Sequence, residues 1–334
     1  MIRVTFLGTA ASRPTVGRGV SALAVQRESE LMLFDCGEGT QRQMMRFGTG
    51  FGLGAIFVTH LHADHFLGII GLSRTLSLQD RTETLHVYGP PGSGRTLRAA
   101  LELGVDRVGF PVEIREMEPG DRVERDGYDI VAFATRHGVS SVGYAVKEHR
   151  RLGRFDPDRA RELGVPEGPL FGRLHRGEPV EVDGKVIRPE EVVGEPRPGR
   201  NVVYTGDTRP CDTVREAAGD ADLLVHDATF TEDERDRARE TKHSTAAEAA
   251  RVARDARVKR LLLTHVSARY SANPRPLERE ARKIFRKAAV AFDGQELEIP
   301  FPERSSSGGG NGAPAERSEE EGSGGNRGKE RTRR

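Results

Sequence analysis

The stretch Ala55-Ile56-Phe57-Val58-Thr59-His60-Leu61-His62-Ala63-Asp64-His65 runs from an apolar segment into three imidazoles and a carboxylate. Its first half has the make-up of a short buried strand, and its polar half begins where that strand ends. Neutral imidazole nitrogens and carboxylate oxygens are good Zn²⁺ ligands, and alternate side chains of extended chain point the same way. His60 and His62 can therefore face one ion, whereas Asp64 and His65 fall past the turn and can address a second. So dense a group of ligands at a strand end is read as a metal site.

Outward from this run the same grammar repeats. IRVTFLG, ALAVQRES and ELMLFDCG read as strands near the start, and LHVYGP, YDIVAFAT and VGYAVKE as strands further on. NVVYTGD, DLLVHDATF and RLLLTH follow, with helical spacing in FLGIIGLSRTLSL and TAAEAARVARDA. His137 follows YDIVAFAT, Asp207 follows NVVYTG and His265 follows RLLLT, each directly after an apolar run where an unpaired polar group would be costly. Together with His60, His62, Asp64 and His65 they make seven ligands, a number that suits two ions bridged by Asp207 with room for a bridging water. Two blocks of strands, each with helices and ligand-type residues at strand ends, predict an α/β protein with two sheets face to face and helices outside.

Composition bounds the alternatives. Hydrophobic residues are 36%, charged residues 31% and mean hydropathy −0.56, with no run approaching a membrane helix. The opening MIRVTFLG has no signal-peptide pattern, and the two cysteines, Cys36 and Cys211, make no disulfide framework, so a cytoplasmic protein is expected. Net charge is +1, which places any nucleic-acid contact in a local basic patch. Residues 147–200 are rich in Pro, Gly and charge, with few periodic apolar positions, too long for an ordinary connection. They are either a disordered insertion or a functional protrusion; seven arginines against four acidic residues in 150–176 favour the protrusion. Residues 303–334 are nearly devoid of apolar side chains and are expected to be a disordered tail on a 1–302 domain.

The HxHxDH run followed by isolated His, Asp and His resembles the metallo-β-lactamase superfamily, which implies an αββα sandwich with a dinuclear centre at one edge. Asp35, in LMLFDCGEGTQ, matches the first superfamily motif and is read as a carboxylate that orients a ligand histidine. FLGTAASRPT, FDCGEGTQRQM, HGVSSVGYAV, GDTRPCD, HDATF, HST and THVSARY, with the HxHxDH run in its place among them, resemble the ribonuclease Z family in its short form, over residues 1 to about 300. That resemblance implies a zinc endoribonuclease that removes the 3′ trailer from precursor tRNA, leaving a tRNA 3′-hydroxyl and a trailer 5′-phosphate. It implies two Zn²⁺ per subunit: one on His60, His62, His137 and Asp207, the other on Asp64, His65, Asp207 and His265. It also makes Asp64 the proton acceptor. His243 of the HST segment is read as proton donor to the departing oxygen, with Asp227 keeping it cationic; aspartate stands here where the family usually has glutamate. Arg269 in SARY is read as a clamp on the scissile phosphate. LGVPEGPLFGRL, residues 163–174, is similar to the family's Gly-Pro arm that grips the tRNA elbow, and the family implies a homodimer.

HxHxDH is shared by small-molecule hydrolases of the same fold, such as glyoxalase II-like thioesterases and lactonases. The arm, His243 and Arg269 favour an RNA phosphodiester over those substrates. Ligands at all seven positions weigh against a catalytically silent RNA-binding module.

Overall fold

The computed structural model describes residues 1–301; the expected disordered tail, 303–334, lies outside the described residues. The opening strands are Ile2–Gly8 (β1), Ala22–Arg27 (β2), Glu30–Phe34 (β3), Leu53–Phe57 (β4), Leu85–Gly89 (β5) and Val112–Glu116 (β6). Next come Arg122–Arg125 (β7), Tyr128–Ala134 (β8) and Val142–Glu148 (β9), then a separate hairpin of Val180–Val182 (β10) and Lys185–Ile187 (β11). Asn201–Tyr204 (β12), Leu223–Asp227 (β13), Leu261–Thr264 (β14), Ala288–Val290 (β15) and Glu296–Ile299 (β16) complete the set. The strands form two seven-stranded sheets, in the orders β16-β1-β2-β3-β4-β5-β6 and β15-β14-β13-β12-β9-β8-β7. β3 to β6 run parallel to one another, as do β12 to β15.

Strand periodicity explains the layers. Ile2, Val4 and Phe6 of β1 face Val202, Tyr204, Leu223, Val225 and Leu262 in one core between the sheets. Their alternates point outward: Leu224, Leu261 and Leu263 meet a helical layer on one side, and Leu33, Ile56 and Val87 meet another on the other side. A strand buried on both faces must be apolar almost throughout, which is why these segments read as continuous runs. The result is the expected αββα sandwich.

Strand C-termini converge on one edge. There Val142 N–H donates to Thr59 O at 3.0 Å, and the Tyr144 hydroxyl donates to Val58 O at 2.9 Å, tying the sheets together. Gly206 sits at φ +57° with its α-carbon so close to Thr59 that a Cβ would fall 2.6 Å from the threonine hydroxyl, so glycine alone fits. β9 enters at this edge and leaves at the opposite one, where Glu148 N–H donates to Arg200 O. Seven residues of strand separate the two edges, roughly ~20 Å.

The insertion emerges from that far edge, between β9 and β12. It is a folded unit: helices at Pro157–Glu162 and Pro169–His175 and the β10–β11 hairpin surround Ala160, Val165, Leu174, Val180, Ile187 and Val192. The expectation of few periodic apolar positions is corrected here. The apolar residues are spaced to serve short helices and a hairpin, so no long period shows in the sequence. Its neck is tight, because a Cβ on Gly153 would fall 1.6 Å from Gly194 O. Of the seven arginines in 150–176, four, Arg159, Arg161, Arg173 and Arg176, pair with acids of the same unit.

Candidate metal centre

The site is assembled from five strand ends, one inter-strand turn and one segment that leads into a helix. β3 runs out at Asp35, β4 leads into Thr59–His65, β12 into Asp207, β13 ends on Asp227 and β14 is followed by His265. His137 comes from the turn between β8 and β9, and His243 from the segment before a helix at Ala246–Asp255. Asp207 Oδ2 is the hub: His60 Nε2 lies 3.5 Å away, His65 Nε2 3.4 Å, His137 Nε2 3.9 Å and His265 Nε2 3.3 Å. His62 Nδ1 stands 3.0 Å from His60 Nε2 and 3.2 Å from His137 Nε2. Asp64 Oδ2 is 3.5 Å from His65 Nε2 and 3.3 Å from His265 Nε2, and accepts Ser12 N–H at 2.7 Å. Two clusters result, His60/His62/His137/Asp207 and Asp64/His65/His265, with Asp207 reaching both.

The donor set fits metal ions. His65 Nε2 and Asp207 Oδ1 are buried atoms without any hydrogen-bond partner, the condition that a bound cation satisfies. The outer ring nitrogens are committed: His65 Nδ1 donates to Asp35 Oδ2 at 2.7 Å and His137 Nδ1 to the Lys242 carbonyl at 3.1 Å. Such bonds leave the Nε2 lone pair aimed at the centre. The site also attracts positive charge. Burial opposes protonation of His65, but Asp207 and Asp35 outweigh it and raise its pKa well above the ordinary value. Burial likewise works against ionisation of Asp64, yet the adjoining imidazoles of His265 and His65 outweigh it and keep its pKa well below the usual carboxylate range.

Each residue expected from the sequence has a definite place. The seven candidate ligands converge, and Asp35 touches His65 directly. His243 Nδ1 donates to Asp227 Oδ2 at 2.9 Å, so the shorter aspartate makes the contact directly. Burial disfavours the His243 cation, but Asp227 and Asp207 outweigh it and raise its pKa to about 9. Asp207, Asp227, His243 and His265 also lie close enough to hold an ion among themselves. With Nδ1 donating to Asp227, however, that ring nitrogen of His243 is already committed. Arg269 is not brought into the cluster; its guanidinium pairs with Glu234, and the ring of Phe230 lies 6.0 Å from it. Sequence reasoning missed Thr59, Thr229 and the Ser12 amide. The only signal for the threonines was their position, directly before His60 and two residues after Asp227.

This fold and this donor set define a metal-binding hydrolase of the β-lactamase superfamily, and the Beta-lactamase superfamily domain matches residues 31–161 and 179–266. The gap, 162–178, falls within the arm. The ribonuclease Z of Haloferax volcanii is 58% identical over 312 residues, 92% of this chain and 98% of that one. That of Myxococcus xanthus is 55% identical over 303 residues, 90% and 99% of the two chains. The crystal structure of human tRNase Z, short form, superposes with a TM-score of 0.66 at 29% identity, over 90% of this chain and 100% of that one. The chain belongs to the ribonuclease Z family and is an endoribonuclease.

Proposed function

We propose that the chain cleaves precursor tRNA at the 3′ end of the mature sequence, with two zinc ions per subunit, releasing a tRNA 3′-hydroxyl and a trailer 5′-phosphate. The observation that carries this reading is Asp207 Oδ2, within 3.9 Å of five imidazole nitrogens from four segments of the chain, in a chain of this family. His60, His62, His137 and Asp207 would hold one ion, and Asp64, His65, His265 and Asp207 the other. When bound, such a pair would lower the pKa of water and neutralise charge on a phosphodiester.

The protein's own groups supply the rest. Asp64 is ionised at neutral pH and open to the proton of the attacking water. His243, held cationic by Asp227, donates a proton to the departing 3′-oxygen, the role its raised pKa suits. Arg269 takes the scissile phosphate by exchanging its Glu234 partner for a phosphate oxygen.

The arm supplies grip on the tRNA. Among the described residues, Arg150, Arg151 and Arg154 make no ion pair, so positive charge available to phosphates gathers at its neck. Because the arm is rooted at the edge away from the metal centre, we propose a homodimer in which one subunit's arm holds tRNA for the other's site. No helix among the described residues is long and apolar enough to cross a membrane, and action in the cytoplasm is part of the proposal. The test is incubation with a 3′-extended precursor tRNA and mapping of both product ends. A trailer bearing a 5′-hydroxyl, or no cleavage by the zinc-loaded protein, overturns the reading.

A further inference from the structure

The two sheets contain the same hydrogen-bonding device, once in each sheet beneath the metal ligands. In the first sheet Asp35 Oδ1 accepts the Thr59 N–H at 2.7 Å and the Thr59 hydroxyl at 3.0 Å, and Asp35 Oδ2 accepts His65 Nδ1–H. In the second, Asp227 Oδ1 accepts the Thr229 N–H at 3.0 Å and its hydroxyl at 2.7 Å, and Asp227 Oδ2 accepts His243 Nδ1–H. Each threonine oxygen also meets a second histidine: Thr59 Oγ1 lies 3.0 Å from His60 Nδ1, and Thr229 Oγ1 lies 2.9 Å from His265 Nδ1. All of these groups except the His243 ring are fully or almost fully buried.

Proton counting fixes the tautomers. A hydroxyl has one proton, and Thr229 gives it to the carboxylate, so its oxygen can only accept from His265. His265 must then carry its proton on Nδ1 and present a bare Nε2 to Asp64 and Asp207. The same count applies to Thr59 and His60. His265 also sits at φ +56°, a conformation rare for a residue with a side chain, which persists only where the surroundings hold it. Val266 N–H donates to Thr9 O and Ala11 N–H to Val266 O, so the backbone on that side is fixed, and the ring is left to be aimed by Thr229.

We propose that Thr229 is a positioning residue: it relays the Asp227 carboxylate to His265, locks that imidazole in the metal-binding tautomer, and so sets affinity at the Asp64/His65/His265 cluster. The inference rests on the two-zinc reading above. It also divides the work of Asp227. One oxygen serves a metal ligand through Thr229 and the other serves His243, whereas in the first sheet both oxygens of Asp35 serve ligands.

The test is zinc stoichiometry and affinity, by elemental mass spectrometry and competition with a chromophoric chelator, on the full-length wild type, Thr229→Val, Thr229→Ser, His265→Ala and the Thr229→Val/His265→Ala double variant. Valine keeps the shape and removes the hydroxyl. Thr229→Val should weaken one of two sites by about 10–100-fold, Thr229→Ser should restore it, and the valine change should cost nothing further once His265 is gone. Melting of the zinc-free proteins separates lost metal affinity from lost packing; if valine does not fold, Thr229→Ala, which only removes atoms, takes its place. Two zinc sites of wild-type affinity in the valine variant would overturn the proposal while leaving the two-zinc reading intact. A wild type that takes up no zinc would overturn both, and the stoichiometry distinguishes the cases.

Discussion

The two edges of the sandwich share strands and are built to different rules. At the metal edge, charged and polar groups are buried with few apolar neighbours, and almost every atom has a directional partner: Asp35 alone accepts from Thr59, His65 and Tyr204. At the far edge, the arm stands on a small apolar core of its own and carries its charges outside, in exposed pairs such as Arg159–Glu162 and Arg173–Glu178. Exposed pairs of this kind contribute little to stability and exchange partners readily. Chemistry on a phosphodiester demands geometry fixed to a fraction of an ångström, whereas holding a polyanion demands only movable positive charge. On the function proposed above, the difference between the edges follows from those two demands.

The sharpest way to break this comparison is at Asp64. Asp64→Ala removes a candidate ligand and the proton acceptor together, and cleavage of precursor tRNA by zinc-reloaded protein should fall to background with the circular dichroism spectrum unchanged. Near wild-type turnover would remove Asp64 from the chemistry. Next in size is His243→Ala, expected to lower single-turnover cleavage by roughly 10²–10⁴-fold with zinc content unchanged. Loss of an ion instead would assign His243 to the Asp207/Asp227/His265 group as a ligand.

At the other edge the expected signature is inverted. Replacing residues 150–195 with a short Gly/Ser linker should raise KM for precursor tRNA on the order of 100-fold, more steeply as salt rises. Hydrolysis of a small activated phosphodiester should be nearly unaffected. Equal loss of both activities would mean that the edges are not independent.

The smallest effect is on stability. Glu148 is buried between Arg200, at 2.7 Å, and Arg27, at 3.0 Å. Burial opposes its ionisation, but hydrogen bonds and charge from Arg200, with a further bond from Arg27, outweigh it and lower its pKa to about 2. A carboxyl held lower in the folded chain stabilises it above the unfolded pKa, and that stability is lost as pH falls from about 4.5 towards 2. Glu148→Gln should cost about 3 kcal/mol at pH 7 and flatten this part of the pH–stability curve, read by urea denaturation. An unchanged curve would mean that the arginines are satisfied without it.

Much of this architecture was legible in the sequence, for reasons visible in particular residues. AIFVTH and RLLLTH carry runs apolar on both faces and so announced buried strands, and they are observed in Leu53–Phe57 and Leu261–Thr264. His60 to His65 announced a metal site because no other economy of residues places three imidazoles and a carboxylate together. β16 was not read: ELEI alternates with only Leu297 and Ile299 turned inward, too short a pattern to stand out without its partner β1. The amphipathic helix at Arg275–Ile284 was not read either, since only Leu277 and Ala281 are buried on it. Thr59 and Thr229 were invisible for a different reason. A threonine beside a motif is ordinary, and its importance lies in a proton shared across the fold.

The neck of the arm has a consequence for descent. Lys147 and Asn201, on either side of the insertion, are paired neighbours in adjacent strands, so some fifty residues of chain leave and return within one strand spacing. An insertion closed so tightly can be gained, lengthened or lost without shifting β9 against β12, and so without moving a single atom at the opposite edge. On the function proposed above, the length of this one connection would decide what the chain can hold more readily than its histidines do. Lineages could trade substrates by exchanging a detachable grip while inheriting the cutting edge unaltered.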